Sequence, residues 1–185
     1  MSDPLATLPG TLDAVWARLE AGPRDRAAPA RHPVLATVGT CGAEVRMVVL
    51  RAAERAQATV EIFTDRRSAK IRDLAAEPRA SLLVWDPDAL FQIRLRARFH
   101  PLDDPPAAAR WDALPAAARA LYGAMPPPGT PIGQPEEHNA KADPAAFCAL
   151  QGMIDEIETL HLAAAPHRRA RFHAEDAWAG QWCAP

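Results

Sequence analysis

VRMVVLR at residues 45–51, followed after a short gap by EIFTDRRSAK at 61–70, is the stretch on which the reading of this chain turns. Both halves are rich in the β-branched and aromatic residues that favour strands. Arg46 opens the first half and Arg51 closes it; Thr64, Arg67, Ser68 and Lys70 follow the second. Hydroxyls and cations gathered at a strand-to-helix junction are what a phosphate requires, since they supply fixed donors and matching charge. Arg46 and Arg51 are an odd number of residues apart, so a regular strand sends them to opposite faces. Only a bulge or a strand end brings both to one ligand. The same side chains also suit a solvated rim paired with Asp65 or Asp73. Spacing alone leaves both readings open.

Outward from this stretch, the chain reads as short strands with a few helices. Upstream, Leu12, Val15, Trp16 and Leu19 recur at helical spacing, which predicts a helix over 11–21 capped by Thr11 and ended by Gly22 and Pro23. Residues 1–10 read as a loose lead-in. PVLATV (33–38) reads as a strand leading into a turn between Gly39 and Gly42, EVRMVVLR (44–51) as a second strand and QATVEIFT (57–64) as a third, the three forming an antiparallel meander. Ser68 is placed to cap a short helix that Pro78 ends. RASLLVW (79–85) reads as a strand. In the next, Phe91, Ile93, Leu95, Ala97 and Phe99 alternate with Gln92, Arg94, Arg96, Arg98 and His100, so one face is core and the other basic. Two short helices broken at Pro115 follow, then an irregular Pro-rich segment at 124–144, a length that usually marks function or mobility. A short helical piece at 145–150 and three closing strands complete the expected order. The sum is a mainly β chain, a small antiparallel barrel with peripheral helices, expected to form one domain over 1–185.

Composition narrows the function classes. With 185 residues and 49% hydrophobic side chains, the chain has the material for a substantial core. Its net charge of −2 gives no bulk attraction to nucleic acid or anionic membrane. No apolar run reaches the ~18 residues that suggest a membrane helix, and MSDPLATLPG lacks the layout of a secretion signal. The three cysteines, Cys41, Cys148 and Cys183, have no metal-like spacing, so reduced thiols and a cytoplasmic location are expected. His161, His167 and His173 are evenly spaced, but no carboxylate or thiol joins them at ligand spacing, and no metal site is expected. The five tryptophans read as core or interface residues.

RMVVLR, IFTDRRSAK and FQIRLRARFHPL, in this order and at these separations, resemble the FMN-binding split barrel of the pyridoxamine 5′-phosphate oxidase family. That family carries an R-x-V-L-L-K strand, an F-Y-T-N-x-x-S-x-K junction and a Q-V-x-x-x-G-x-A strand. The likeness runs from about Pro33 to Leu102 and more weakly beyond. It implies an antiparallel split β-barrel with FMN held between the two subunits of a homodimer. Arg46 and Lys70 would hold the FMN phosphate, and Met47, Val48 and Val49 would lie along the ring. Arg51 stands for the family lysine, Phe63 and Thr64 for the aromatic–threonine pair, and Ser68 for the serine before the lysine. Gln92 and Arg171 would reach the flavin, and Arg66 or Arg67 would be a substitute phosphate contact because Ala69 stands where the oxidase commonly has arginine. At the C-terminus, HRRARF replaces R-L-H-D-R-F: His167 and Arg169 fall at the substrate-binding positions, and His161 falls near the expected tryptophan. The implied function is an FMN-dependent oxidoreductase acting on a small molecule, with no catalytic acid or base identified. The alternatives are the oxidase itself, or a non-enzymatic binder of flavin, deazaflavin or haem.

Overall fold

The computed structural model describes residues 3–185. A 3-10 turn at Pro4–Ala6, capped by Asp3, leads into helix α1 (Leu8–Ala21). The cap of α1 is Thr7, whose hydroxyl accepts from the Gly10 N–H, and not Thr11, which is buried one turn inside the helix. Pro9 explains the earlier start, because proline is tolerated in a first turn, where its missing N–H has no partner to lose. The expected loose lead-in is thus ordered from Asp3 onward; Met1 and Ser2 lie outside the described residues. The predicted stripe holds: Leu12, Val15, Trp16 and Leu19 are all buried.

Nine antiparallel strands follow: β1 (Val34–Gly39), β2 (Gly42–Met47), β3 (Leu50–Glu54), β4 (Thr59–Asp65), β5 (Arg79–Asp86), β6 (Phe91–Pro101), β7 (Phe147–His161), β8 (Arg168–His173) and β9 (Gln181–Cys183). Helices α2 (Ala69–Ala76), α3 (Pro106–Asp112) and α4 (Ala116–Arg119) lie between them. The strand order is β2-β1-β5-β6-β7-β4-β3, with β8 also on β7 and β9 on β8. This is the antiparallel β class with peripheral helices expected from the sequence.

The expected three-strand meander is corrected in one place. The second strand breaks at Val48 and Val49; β2 pairs with β1, β3 pairs with β4, and β2 and β3 lie at opposite ends of the strand order. The link is only Val48 and Val49, so the sheet must curl until its two end strands lie close together, and the hydrophobic pattern runs on where the hydrogen bonding does not. A second correction concerns 145–150. Only Pro144–Ala146 make a 3-10 turn, and β7 begins at Phe147 because Phe147 to Met153 pair with Asp65 to Thr59 of β4. Tertiary pairing overrides the local helical preference of that segment.

Strand β7 is the spine. One edge pairs with β6 from Leu150 to His161; the other pairs with β4 over its first half and β8 over its second. Between Ile154 and Glu156 the register with β6 shifts, and Asp155 is the extra residue. The bulge inverts the alternation. Leu150 and Ile154 point inward before it; Ile157 and Thr159 do so after it, which turns Glu156 and Glu158 to the outer face. The inner face carries Phe91, Ile93, Leu95, Phe99, Leu150, Ile157 and Phe172 in one core with α1. Each such side chain contributes on the order of 1.5–3 kcal/mol by leaving water.

Gly152 marks a close approach in this core: a Cβ there would lie 2.6 Å from Phe99 Cζ. Gly152→Ala should therefore lower unfolding free energy by about 1–3 kcal/mol in urea titrations, through displacement of the Phe99 ring. An unchanged midpoint would contradict the packing.

Candidate functional site

The residues of the opening stretch separate into three places. The first lies where β1, β2, β4 and α2 meet. Ser68 is the N-cap of α2, yet its hydroxyl makes no capping bond. It stands 3.2 Å from Thr64 Oγ1 instead. Lys70 Nζ donates to Thr64 Oγ1 at 2.9 Å and to Ser68 Oγ at 3.2 Å. No carboxylate forms an ion pair with Lys70 among the described residues. Arg46 reaches inward from β2 and donates to Thr37 of β1; its NH2 lies 3.4 Å from Asp73 Oδ2 on α2, and Thr37 Oγ1 itself donates to that oxygen at 2.8 Å. Burial pushes the Lys70 ammonium below the usual lysine range, the charge of Arg46 pushes it further, and Asp65 and Asp73 pull partly back. Two cations, two hydroxyls and a helix N-terminus with free N–H groups thus converge with an excess of positive charge.

The second place is the outward face of the β3–β4 ribbon. The β3–β4 register shifts between Leu50 and Ala52, so Arg51 is itself the bulged residue. Its guanidinium lies over the Phe63 ring, 5.5 Å from the centroid. Phe63 packs edge-on against Phe147 at 5.2 Å within a second apolar cluster that includes Trp111 and Tyr122. Phe63 and Thr64 are neighbours on one strand and point to opposite faces, so Arg51 and Lys70 lie on opposite sides of β4. Met47 is 68% exposed, and Val48 and Val49 form the half-buried crossover.

Arg67 is engaged elsewhere. Its Nε and NH2 close on Asp65 at 2.9 and 2.7 Å, and NH2 also donates to Ala124 O at 2.9 Å. Asp65 further accepts the N–H groups of Arg67 and Gly123. This is the rim pairing that spacing left open, and it pins the start of the Pro-rich segment beside the Lys70 cluster. Across the base of that segment, Met125 pairs with Asn139.

The third place is the outer face of β6, β7 and β8, where Gln92 and Arg171 lie. Gln92 stands opposite Trp85 and Leu160. Arg171 NH2 donates to Glu158 Oε2 at 3.1 Å; this bond and the charge of Glu156 hold its pKa above the ordinary value. Sequence reasoning missed Thr37 and Glu158, and named Asp73 only as a rim partner, which is how it meets Arg46. A signal existed for the first, a hydroxyl two residues after Leu35 on the buried side of β1. None existed for Glu158, whose outward placement depends on the Asp155 bulge.

Comparison with known proteins bears on this arrangement. Residues 13–102 match the family model for the pyridoxamine 5′-phosphate oxidase, FMN-binding domain. This stretch is similar to that FMN-binding domain. A relative in Anaeromyxobacter dehalogenans, strain 2CP-C, described as a pyridoxine/pyridoxamine 5′-phosphate oxidase, is 37% identical over 118 residues, covering 63% of this chain and 55% of the relative. The matched part thus spans little more than half of that relative. A pyridoxamine 5′-phosphate oxidase-related, FMN binding protein from Nostoc punctiforme PCC 73102 superposes with a TM-score of 0.76 at 26% identity, covering 94% of this chain and 96% of that one. PhzG from Burkholderia lata 383, solved with tetrahydrophenazine-1-carboxylic acid, shares the fold with a TM-score of 0.72 at 18% identity, covering 100% and 94%.

FMN is the cofactor of the family, and the residues fit it. Lys70, held by two neutral hydroxyls beside Arg46, lacks the counter-charge that a phosphate supplies. When bound, FMN supplies the electron chemistry that no side chain here provides.

Two outcomes follow. Burial alone would raise the Asp65 carboxyl, but hydrogen bonds from Arg67 and Gly123 outweigh it and hold the group below the usual aspartate range. Its stabilisation is then present above the ordinary aspartate pKa and lost as pH falls through the folded value. Asp65→Asn should cost roughly 1.5–3 kcal/mol near neutrality, with the deficit vanishing in acid denaturation curves. Phosphate binding should raise the depressed Lys70 pKa. FMN affinity should therefore be full below that pKa and fall as pH rises through it, with proton uptake in calorimetry. Lys70→Met should abolish the dependence.

Proposed function

We propose that this protein is an FMN-dependent oxidoreductase acting on a small molecule, with FMN bound between two copies of the chain. The observation that carries the reading is the Arg46, Thr64, Ser68 and Lys70 cluster, positively charged and without a carboxylate on Lys70. Each charge-assisted bond to a phosphate is worth roughly 1.5–3 kcal/mol, which is about ten- to a hundredfold in affinity.

The dimer reading has two supports. Arg46 and Lys70 lie on the α2 side of the sheet, whereas Gln92 and Arg171 lie on the outer face, so a second copy is needed for both groups to meet one flavin. The outer face also exposes an apolar patch on β1, β2 and β5: Val38, Val45, Met47, Leu83 and Trp85 are 36–68% exposed. Patches of this kind mark association surfaces. A second copy would also cover the open edge of β2.

In this reading the chain binds and orients the cofactor. Arg46 and Lys70 grip the phosphate, Arg51 and Phe63 stand on the far side of β4, and Gln92 donates toward the ring edge from the partner copy. The oxidase reaction on vitamin B6 phosphates is the second reading, favoured by the Anaeromyxobacter relative. The C-terminal strand weighs against it, since His167 and Arg169 occupy the positions where that family has arginine and histidine.

The purified protein should be yellow, sediment as a dimer, and bleach with a reduced nicotinamide or another two-electron donor. Arg46→Ala combined with Lys70→Ala should abolish FMN retention in fluorescence titrations. Retention by the double variant would refute the phosphate assignment, and a colourless protein that ignores added FMN would refute the reading itself. Turnover of pyridoxine 5′-phosphate decides between the two activities.

A further inference from the structure

One row of residues runs across five strands on the outer face of the sheet. Ala36 of β1 stands opposite Ser81 of β5, Ser81 opposite Arg96 of β6, Arg96 opposite Glu156 of β7, and Glu156 opposite His173 of β8. Small side chains at one end of the row and long ones at the other leave a cavity of about 730 Å³ above it, a volume in the range of small-molecule sites. The row crosses β6 four residues from Gln92, roughly 13 Å along the strand, so the cavity stands apart from that residue.

The walls of this cavity carry opposite charges on opposite sides. On the β5 and β6 side, Arg79 stands directly opposite Arg98, and both line the cavity. Like charges paired across a sheet repel, and an anion between them relieves the cost. On the β7 and β8 side, Asp155, Glu156 and Glu175 line it. The bulge is the reason that Asp155 and Glu156, neighbours in sequence, serve one cavity. Arg98 and Asp155 pair at 3.3 Å with both side chains more than half exposed, so a ligand can replace either partner at little cost. Glu175 forms no ion pair among the described residues. Glu156 sits deeper, at 7% exposure. Arg96 donates to its Oε2 at 3.2 Å, but Oε1 has no hydrogen-bond partner among the described residues, and Arg171 Nε at 3.8 Å is too distant to be one. A buried acceptor of this kind is incomplete without a donor.

Three arginines and three carboxylates line the cavity, so it favours a molecule that carries both signs over a simple anion or cation. From β6 to β8 is two strand spacings, about 10 Å, and an extended tripeptide has about that reach. We propose that the cavity binds a short zwitterionic peptide, its carboxylate between Arg79 and Arg98 and its ammonium against Glu175 and Glu156. Alanines at the β1 and β2 end leave room for small apolar side chains. The site is additional to the cofactor site and does not rest on the oxidoreductase reading. Val38 belongs both to the cavity and to the exposed apolar patch, so a second copy seated on that patch would border the peptide.

The test is a calorimetric titration of the purified protein, with and without added FMN, against trialanine, N-acetyl-trialanine and trialanine amide at constant ionic strength. Trialanine should bind saturably, and each blocked peptide should bind at least fivefold more weakly. Glu175→Gln should weaken trialanine at least threefold while leaving the residual binding of the acetylated peptide unchanged. Arg98→Met should weaken trialanine in the same way while leaving that of the amide unchanged. Both variants should keep the wild-type thermal midpoint. Absence of saturable binding overturns the proposal, and is the outcome if the second copy itself fills the cavity. Blocked peptides that bind as well as trialanine, or trialanine affinity unchanged in both variants, overturn it too. A protein that takes up trialanine but no FMN would refute the cofactor reading and leave the peptide site standing.

Discussion

One extra residue in a strand sets the two faces of this molecule. Strand β7 must serve the core along its whole length while changing partners halfway, from β4 to β8. A regular strand placing Ile154 inward would also place Glu156 and Glu158 inward, where two carboxylates would each face a desolvation cost of several kcal/mol. Asp155 bulges out and resets the alternation. Ile157 then fills the core, and Glu156 and Glu158 meet the arginines of β6 and β8. The apolar interior and the charged outer face are consequences of the same backbone irregularity.

A second irregularity does comparable work beside the Arg46 and Lys70 cluster. The chain leaves β2 at Met47 and enters β3 at Leu50, and the bulge at Arg51 follows at once. Arg46 is thereby left facing α2, while Arg51 is turned onto Phe63. The cation pair at Arg46 and Lys70 persists in a half-buried site because Thr37, Thr64 and Ser68 solvate it and Asp73 partly balances it. Such a site is costly to keep and favourable to fill with an anion, which accords with the FMN-binding domain that residues 13–102 match.

Much of this was legible in the residues. The alternation in β6 named its buried and basic faces, because a strand with one face in the core must alternate. The apolar stripe of α1 was equally clear, although its cap was displaced by one turn. At the site, Arg46, Thr64, Ser68 and Lys70 were identified and come together. Arg67 was grouped with them as a replacement for the family arginine lost at Ala69, and the structure commits it to Asp65 and the chain at Ala124. Hydrogen-bond partners far along the chain are invisible to local spacing, which is also why Thr37 went unnoticed.

The sequence by itself determined the β class, the core face of β6 and the inventory of cations and hydroxyls around Lys70, since these depend on period, side-chain chemistry and short-range order. Tertiary structure alone decided which strands pair, where the alternation breaks and which donors share a face. Those outcomes depend on contacts between residues such as Phe147 and Asp65, or Glu158 and Arg94, that only the folded sheet brings side by side.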